Sequence, residues 1–244
     1  MSSAHRRLAR GAAASRAGAS HLEVARGNAR RHAARVATEF IHRWLPGARA
    51  DLTLLLLHGT GGNEDDLVPL GEMLAPGAPV LSPRGPVLEN GMPRFFRRLA
   101  EGVFDVPDLI ARSGDLAAFV GEAAKRYGFG TSRVVAVGFS NGANVAASVM
   151  LLHPEVLAGA VLLRAMVPLS PTKRPDLSGR AALIASGRRD PIVPLRQPEE
   201  LAALLREAGA DVEVAWSDTG HELTPGDLQI SRAWLEKHFP PTVR

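Results

Sequence analysis

With 244 residues, 45% of them apolar, the chain has material for one or two domains and a sizeable core. It contains no cysteine, which excludes a disulfide scaffold, a thiol nucleophile and thiolate metal sites, and fits a reducing compartment. The formal charge of +4 is unevenly placed: residues 1–36 hold eight arginines against one acid, Glu23, a segment of +7 that leaves −3 for residues 37–244. The basic balance therefore belongs to a tail and is no argument for nucleic-acid binding by the rest.

Residues 1–36 are rich in Ala, Arg, Ser and Gly and almost free of large apolar side chains. They cannot bury enough surface to offset their ordering entropy, so a basic, disordered extension is expected. An organelle transit peptide, a basic interaction arm and an extension with no part in the fold all fit, and the last asks least. The apolar stretch of a secretory signal is missing. From 37 to 244 a single α/β domain is expected. Residues 39–44 alternate and suit a short edge strand, and Pro46-Gly47 a turn. Residues 52–57 form the continuous apolar run of a buried parallel strand. They enter His58-Gly59-Thr60-Gly61-Gly62-Asn63, followed by a helical pattern at 65–74 and a short strand at 80–81. Residues 84–106 read as irregular, and Pro107 suits a first helical turn for a helix running to Tyr127. Residues 134–137 predict a buried strand and 141–153 a helix, with Gly138-Phe139-Ser140-Asn141-Gly142 between them. Strands are expected at 160–163, 181–185 and 212–216, and helices at 199–208 and from Pro225 to about His238. Thr224 would cap the last helix, with Asp227 at its third position. No run reaches the ~18–20 apolar residues of a membrane span. Alternating strands and helices predict a mainly parallel sheet with helices on both faces.

Ligands of such sheets bind beyond the carboxyl ends of the strands, and four informative residues fall there. Strand, G-x-S-x-G, helix is the setting of a nucleophile elbow, a turn sharp enough to demand glycine two residues either side of Ser140. Asp190 follows the next strand but one, His221 the strand after that, and Thr60 an earlier one. A serine hydroxyl needs a base, which an imidazole supplies, and the imidazole needs an acid to fix its tautomer. Backbone N–H groups of Thr60 and Asn141 are placed to receive an oxyanion. Each residue has a plainer reading: a glycine-rich turn, an Asp-Pro turn, a surface histidine. Asp218 is a rival acid, and His58 reads as a structural hydrogen-bonder beneath the Thr60 loop. The eight histidines show no metal spacing.

His58-Gly59-Thr60-Gly61-Gly62, the Ser140 pentapeptide, Arg189-Asp190-Pro191-Ile192-Val193-Pro194 and Gly220-His221-Glu222-Leu223 together resemble the phospholipase/carboxylesterase family of α/β-hydrolases. Glu89-Asn90-Gly91-Met92-Pro93-Arg94-Phe95-Phe96 and Leu163-Arg164-Ala165-Met166-Val167-Pro168-Leu169 resemble its bacterial carboxylesterase branch, which includes hydroquinone-associated hydrolases. Dienelactone hydrolases and acyl-protein thioesterases are more distant. The resemblance covers about residue 40 to the C-terminus. It implies an α/β-hydrolase fold and a serine esterase acting through Ser140, Asp190 and His221, with no metal and no cofactor. Two features depart from it: the basic extension, and Asn141 where acyl-protein thioesterases have glutamine.

Residues 164–180 leave room for a loop but no lid domain, which predicts an open cleft for short-acyl or aromatic esters. Phe95, Phe96, Met166 and Val167 are its expected walls. Arg94, Arg97 and Arg98 are either a solvated face or an anion-binding cluster. A thioesterase or lactone hydrolase with the same machinery, and a non-catalytic binding protein on this scaffold, are the alternatives. The expected partner is a small-molecule ester, with no nucleic acid and no membrane; a homodimer stays open, and a cytoplasmic location is expected.

Overall fold

A computed structural model describes residues 40–241, so the basic extension at 1–36 lies outside the described residues. In chain order the elements are His42–Leu45 (β1), Thr53–Leu57 (β2), Val68–Leu74 (α1) and Val80–Pro83 (β3). Two small hairpins follow, Val87–Glu89 (β4) with Met92–Arg94 (β5) and Arg98–Ala100 (β6) with Val103–Phe104 (β7). Then come Val106–Tyr127 (α2), Val134–Phe139 (β8), Asn141–Leu152 (α3), Gly159–Leu163 (β9), Ala181–Gly187 (β10), Arg196–Glu207 (α4), Asp211–Ser217 (β11) and Pro225–His238 (α5).

Seven strands form one sheet in the order β1-β3-β2-β8-β9-β10-β11. Every neighbour is parallel except β1, which runs antiparallel to β3 along the edge. β2, β9 and β10 are buried at every position, as apolar runs without alternation require when helices cover both faces. Successive side chains divide between two cores. Leu55, Leu57, Ala136, Leu162 and Ile184 pack with residues of α2, α3 and α4; Leu54, Leu56, Val137, Leu163 and Leu183 pack with residues of α1 and α5. Truncating such a buried leucine to alanine costs about 2–5 kcal/mol.

Helix ends follow local chemistry. Asp105 caps α2 by accepting from the Asp108 N–H, and α2 stops at Gly128, whose φ of 76° is left-handed. Thr224 and Asp227 form a reciprocal capping box at the start of α5. Between β9 and β10, residues 164–180 contain neither helix nor strand.

The irregular reading of residues 84–106 is corrected by the two hairpins. Asn90 and Gly91 have φ of 52° and 80°, the paired left-handed residues of an Asn-Gly hairpin turn. Asn-Gly was the available signal, and the short, partly exposed strands around it lack the apolar alternation that marks a sheet strand.

Candidate active site

β8 delivers Ser140 to the carboxyl edge of the sheet in a backbone conformation that L-residues rarely adopt, φ 53° and ψ −112°. Such a conformation costs about 1–3 kcal/mol and persists only where the surroundings enforce it. Here the Ser140 N–H donates to Leu163 O at 2.8 Å, and Ser140 O accepts from the Asn144 N–H at 3.0 Å. The flanking glycines are a steric necessity. A Cβ on Gly138 would lie 2.6 Å from Gly142 O, and one on Gly142 would lie 1.9 Å from Leu57 O.

The structure brings Ser140, His221 and Asp190 into one hydrogen-bonded chain. Ser140 Oγ is 2.9 Å from His221 Nε2, and His221 Nδ1 is 2.7 Å from Asp190 Oδ2. The Asp190 side chain is fully buried. Its Oδ1 accepts from the N–H groups of Ile192 at 2.8 Å and Val193 at 3.1 Å, so backbone donors replace the water a buried carboxylate loses. Asp218, the rival acid, has an exposed side chain 3.7 Å from Arg188.

Thr60 and Asn141 lie on the same cleft as Ser140 and His221, a cavity of about 200 Å³. The N–H groups beside Thr60 are engaged: Gly61 donates to Pro93 O and Gly62 to Gly59 O. The Asn141 N–H opens α3, where helix N–H groups have no intrahelical acceptor. His58 is buried beneath this loop, accepting at Nε2 from the Gly85 N–H (2.9 Å) and facing Gly59 O with Nδ1 (2.6 Å). Burial pushes its pKa below the ordinary histidine value.

Two expected wall residues are elsewhere. Phe95 and Phe96 belong to the core, with 1% and 0% exposure. They lie in the bend between β5 and β6, and the Phe95 N–H donates to Asn141 Oδ1 at 2.7 Å. The phenylalanines on the cleft are Phe139, at the end of β8, and Phe104, at the end of β7. Met166 lines the cleft and Val167 an adjoining outer cavity of about 550 Å³, which shares Phe104, Met166 and Ile192 with the first. The Met166 N–H donates to Asn144 Oδ1 at 2.8 Å. Of the arginines, Arg94 and Arg98 line the cleft; Arg97 is exposed and pairs with Asp105 and Asp108.

Arg164 was missed by the sequence reading. It follows β9 with φ 59° and is 1% exposed. Its guanidinium donates to Gly220 O (3.2 Å) and Glu222 O (2.7 Å), the carbonyls on either side of His221, and grips both oxygens of Asp227 at 2.8 Å. Burial works to raise the Asp227 carboxyl, but the Arg164 and Thr224 hydrogen bonds outweigh it and hold the pKa below its ordinary value. The loop carrying His221 is thus tied to the start of α5 through one buried cation. Gly187 lets it close: a Cβ there would lie 2.3 Å from Gly220 O.

A parallel sheet, a strained serine elbow and this side-chain chain meet a family profile. Residues 44–239 match that of phospholipases/carboxylesterases. The chain belongs to the phospholipase/carboxylesterase family. It is thereby a carboxylesterase-type serine hydrolase with the α/β-hydrolase fold. The Bacillus subtilis (strain 168) hydrolase MhqD is 48% identical over 188 residues, 77% of this chain and 94% of MhqD. A Bacillus cereus carboxylesterase structure superposes with a TM-score of 0.81 at 48% identity, covering 83% of this chain and 96% of that one. A structure of YahD with malic acid gives a TM-score of 0.76 at 30% identity, covering 82% and 98%. Among the described residues no helix is long and apolar enough to cross a membrane, and no cluster of His, Asp and Glu could hold a metal ion.

Proposed function

We propose that this family member hydrolyses small carboxylic esters through an acyl-enzyme on Ser140. The observation that carries the reading is the unbroken Ser140–His221–Asp190 chain on an elbow whose glycines admit no side chain. His221 Nε2 takes the Ser140 hydroxyl proton as Oγ attacks the ester carbonyl. Asp190 holds the ring in the tautomer with hydrogen on Nδ1 and stabilises the imidazolium. The oxyanion settles on the N–H groups of Thr60 and Asn141, each such donor being worth about 10²–10³ in rate. Collapse of the tetrahedral intermediate breaks the bond to the alkoxy oxygen, which receives the proton from His221 and leaves as the alcohol. Water, deprotonated by the same imidazole, then attacks the acyl carbon and releases the acid and Ser140.

A cavity of about 200 Å³ beside Ser140 suits a short acyl chain or a small aromatic group. The lidless 164–180 connection supports an open approach, with Met166 on the inner cleft and Val167 on the outer cavity.

The test is turnover of 4-nitrophenyl esters from acetate to decanoate, together with labelling by a fluorophosphonate. Wild type should react with the probe and prefer short chains. Ser140→Ala should keep the fold and lose turnover by at least ~10⁴-fold. Near-normal turnover in Ser140→Ala overturns the nucleophile, and a preference for decanoate overturns the small substrate.

A further inference from the structure

The inner cleft has an unbalanced charge. Two guanidiniums, Arg94 and Arg98, line it beside Ser140 and His221, and no carboxylate does. Glu89 stands between them as a shared partner outside the lining, 3.1 Å from Arg94 Nη1 and 2.9 and 3.2 Å from Arg98 Nε. One negative charge thus serves two positive ones. The Asp190 carboxylate stands behind His221, bonded to His221, Ile192 and Val193, and does not line the cleft. The outer cavity differs, with Glu101 and Glu200 against Arg196.

The two arginines hold the charge differently. Arg94 is 3% exposed and fixed, donating to Thr60 Oγ1 at 2.7 Å and Phe96 O at 3.2 Å. Burial, and after it the charge of Arg98, pushes the pKa of Arg94 below its ordinary value, so the two like charges oppose one another in the cleft. The Arg98 side chain keeps 27% exposure and is bound to Glu89 through Nε, which leaves the planar end of its guanidinium to face a ligand. A guanidinium recognises a carboxylate by paired N–H donors in a plane. The apolar part of the lining, Phe104, Phe139, Met166 and Ile192, suits the hydrocarbon between an ester and a second charged group.

We propose that the preferred esters carry a carboxylate, as in half-esters of dicarboxylic acids or esters of hydroxy acids, with the anionic end held in the inner cleft by Arg98 and by the fixed charge of Arg94. This rests on the esterase reading above and adds the substrate's charge to it. Arg97, one residue away and turned outward to Asp105 and Asp108, is the internal control.

The experiment compares kcat/KM for size-matched charged and neutral esters. One pair is 4-nitrophenyl hydrogen glutarate against 4-nitrophenyl valerate, and the other carries the charge on the alcohol side. Calorimetric titration with glutarate is run in parallel. Wild type should favour the charged member of at least one pair by about 10–100-fold at low salt, and the preference should shrink as salt screens the charge. Arg98→Gln should bring that ratio near one and abolish glutarate binding. Glu89→Gln should keep the ratio at or above the wild-type value, and Arg97→Gln should leave it unchanged. A wild-type ratio near one in both pairs, or an unchanged ratio in Arg98→Gln, overturns the proposal. Lost glutarate binding in Arg97→Gln as well as Arg98→Gln also overturns it. Glutarate binding that depends on Arg98, without turnover of any ester, overturns the esterase reading and supports the anion site.

Discussion

Ser140, Asp190 and His221 stand just beyond the ends of β8, β10 and β11, whereas Arg94, Arg98 and Phe104 stand on two hairpins that leave the sheet between β3 and α2. The first group is fixed many times over. Ser140 is held by main-chain bonds to β9 and α3, Asp190 by two N–H groups, and the His221 loop by Arg164. The hairpins are short and expose Leu88, Leu99 and Val103 at their surfaces. Reacting atoms need positions fixed to a fraction of an ångström, and parallel strand ends provide them. Selecting a substrate needs shape and charge, which a hairpin can change without disturbing the sheet.

This division predicts a graded set of losses. Asp190→Asn replaces the carboxylate 2.7 Å from His221 Nδ1 and, on the proposed mechanism, should lower kcat by about 10³–10⁴-fold with KM little changed. Steady-state kinetics on a neutral aryl ester checks this, and a loss below tenfold breaks the comparison, because the strand-end group would not then carry the chemistry. Arg164→Lys keeps the buried charge but cannot span Asp227 and both carbonyls flanking His221. Its kcat should fall about 10–100-fold while KM stays within about twofold; a rise in KM alone would assign Arg164 to the binding side instead. Phe104→Ala, on the hairpin side, should raise KM for aromatic esters about 3–10-fold with kcat retained. A kcat effect there as large as that of Arg164→Lys would erase the distinction between the two groups.

The smallest effect concerns stability against pH. The folded-state pKa of Asp227 lies below its ordinary value, so in acid the unfolded chain binds the proton first. The stability this carboxylate adds is complete above the ordinary aspartate range and is lost as pH falls through the folded value. Urea midpoints measured from neutrality into that range should fall more steeply for wild type than for Asp227→Asn. Equal slopes would mean that Arg164 holds the loop without this carboxylate.

The sheet and the strand-end residues were legible because they follow from local patterns. Apolar runs without alternation mark strands covered on both faces, and Ser140, Asp190 and His221 each follow one of the strands at the sheet's carboxyl edge. The hairpin side was harder to read. Phe95 and Phe96 look like any exposed-or-buried aromatic pair until the path of the chain is known; their backbone then turns them into the core and leaves Phe104 on the cleft. Arg97 and Arg98 are adjacent in sequence and end on opposite sides of their segment. Arg164 was invisible for another reason: its partners, Gly220, Glu222 and Asp227, lie 56 to 63 residues further on, and no local signal joins them.

Asn141 and Asn144 occupy the first turn of α3, one holding the main chain at Phe95 and the other at Met166. Residues three apart share a helix face, offset by only about 4.5 Å along the axis. The main chain next to Arg94 and that of Met166, two residues of the cleft lining, are therefore held from one helix, and their spacing is set by helix geometry. Asn144→Ala should free the main chain at Met166 while the segment beside Arg94 keeps its place, and the preference for acyl length across the ester series should shift.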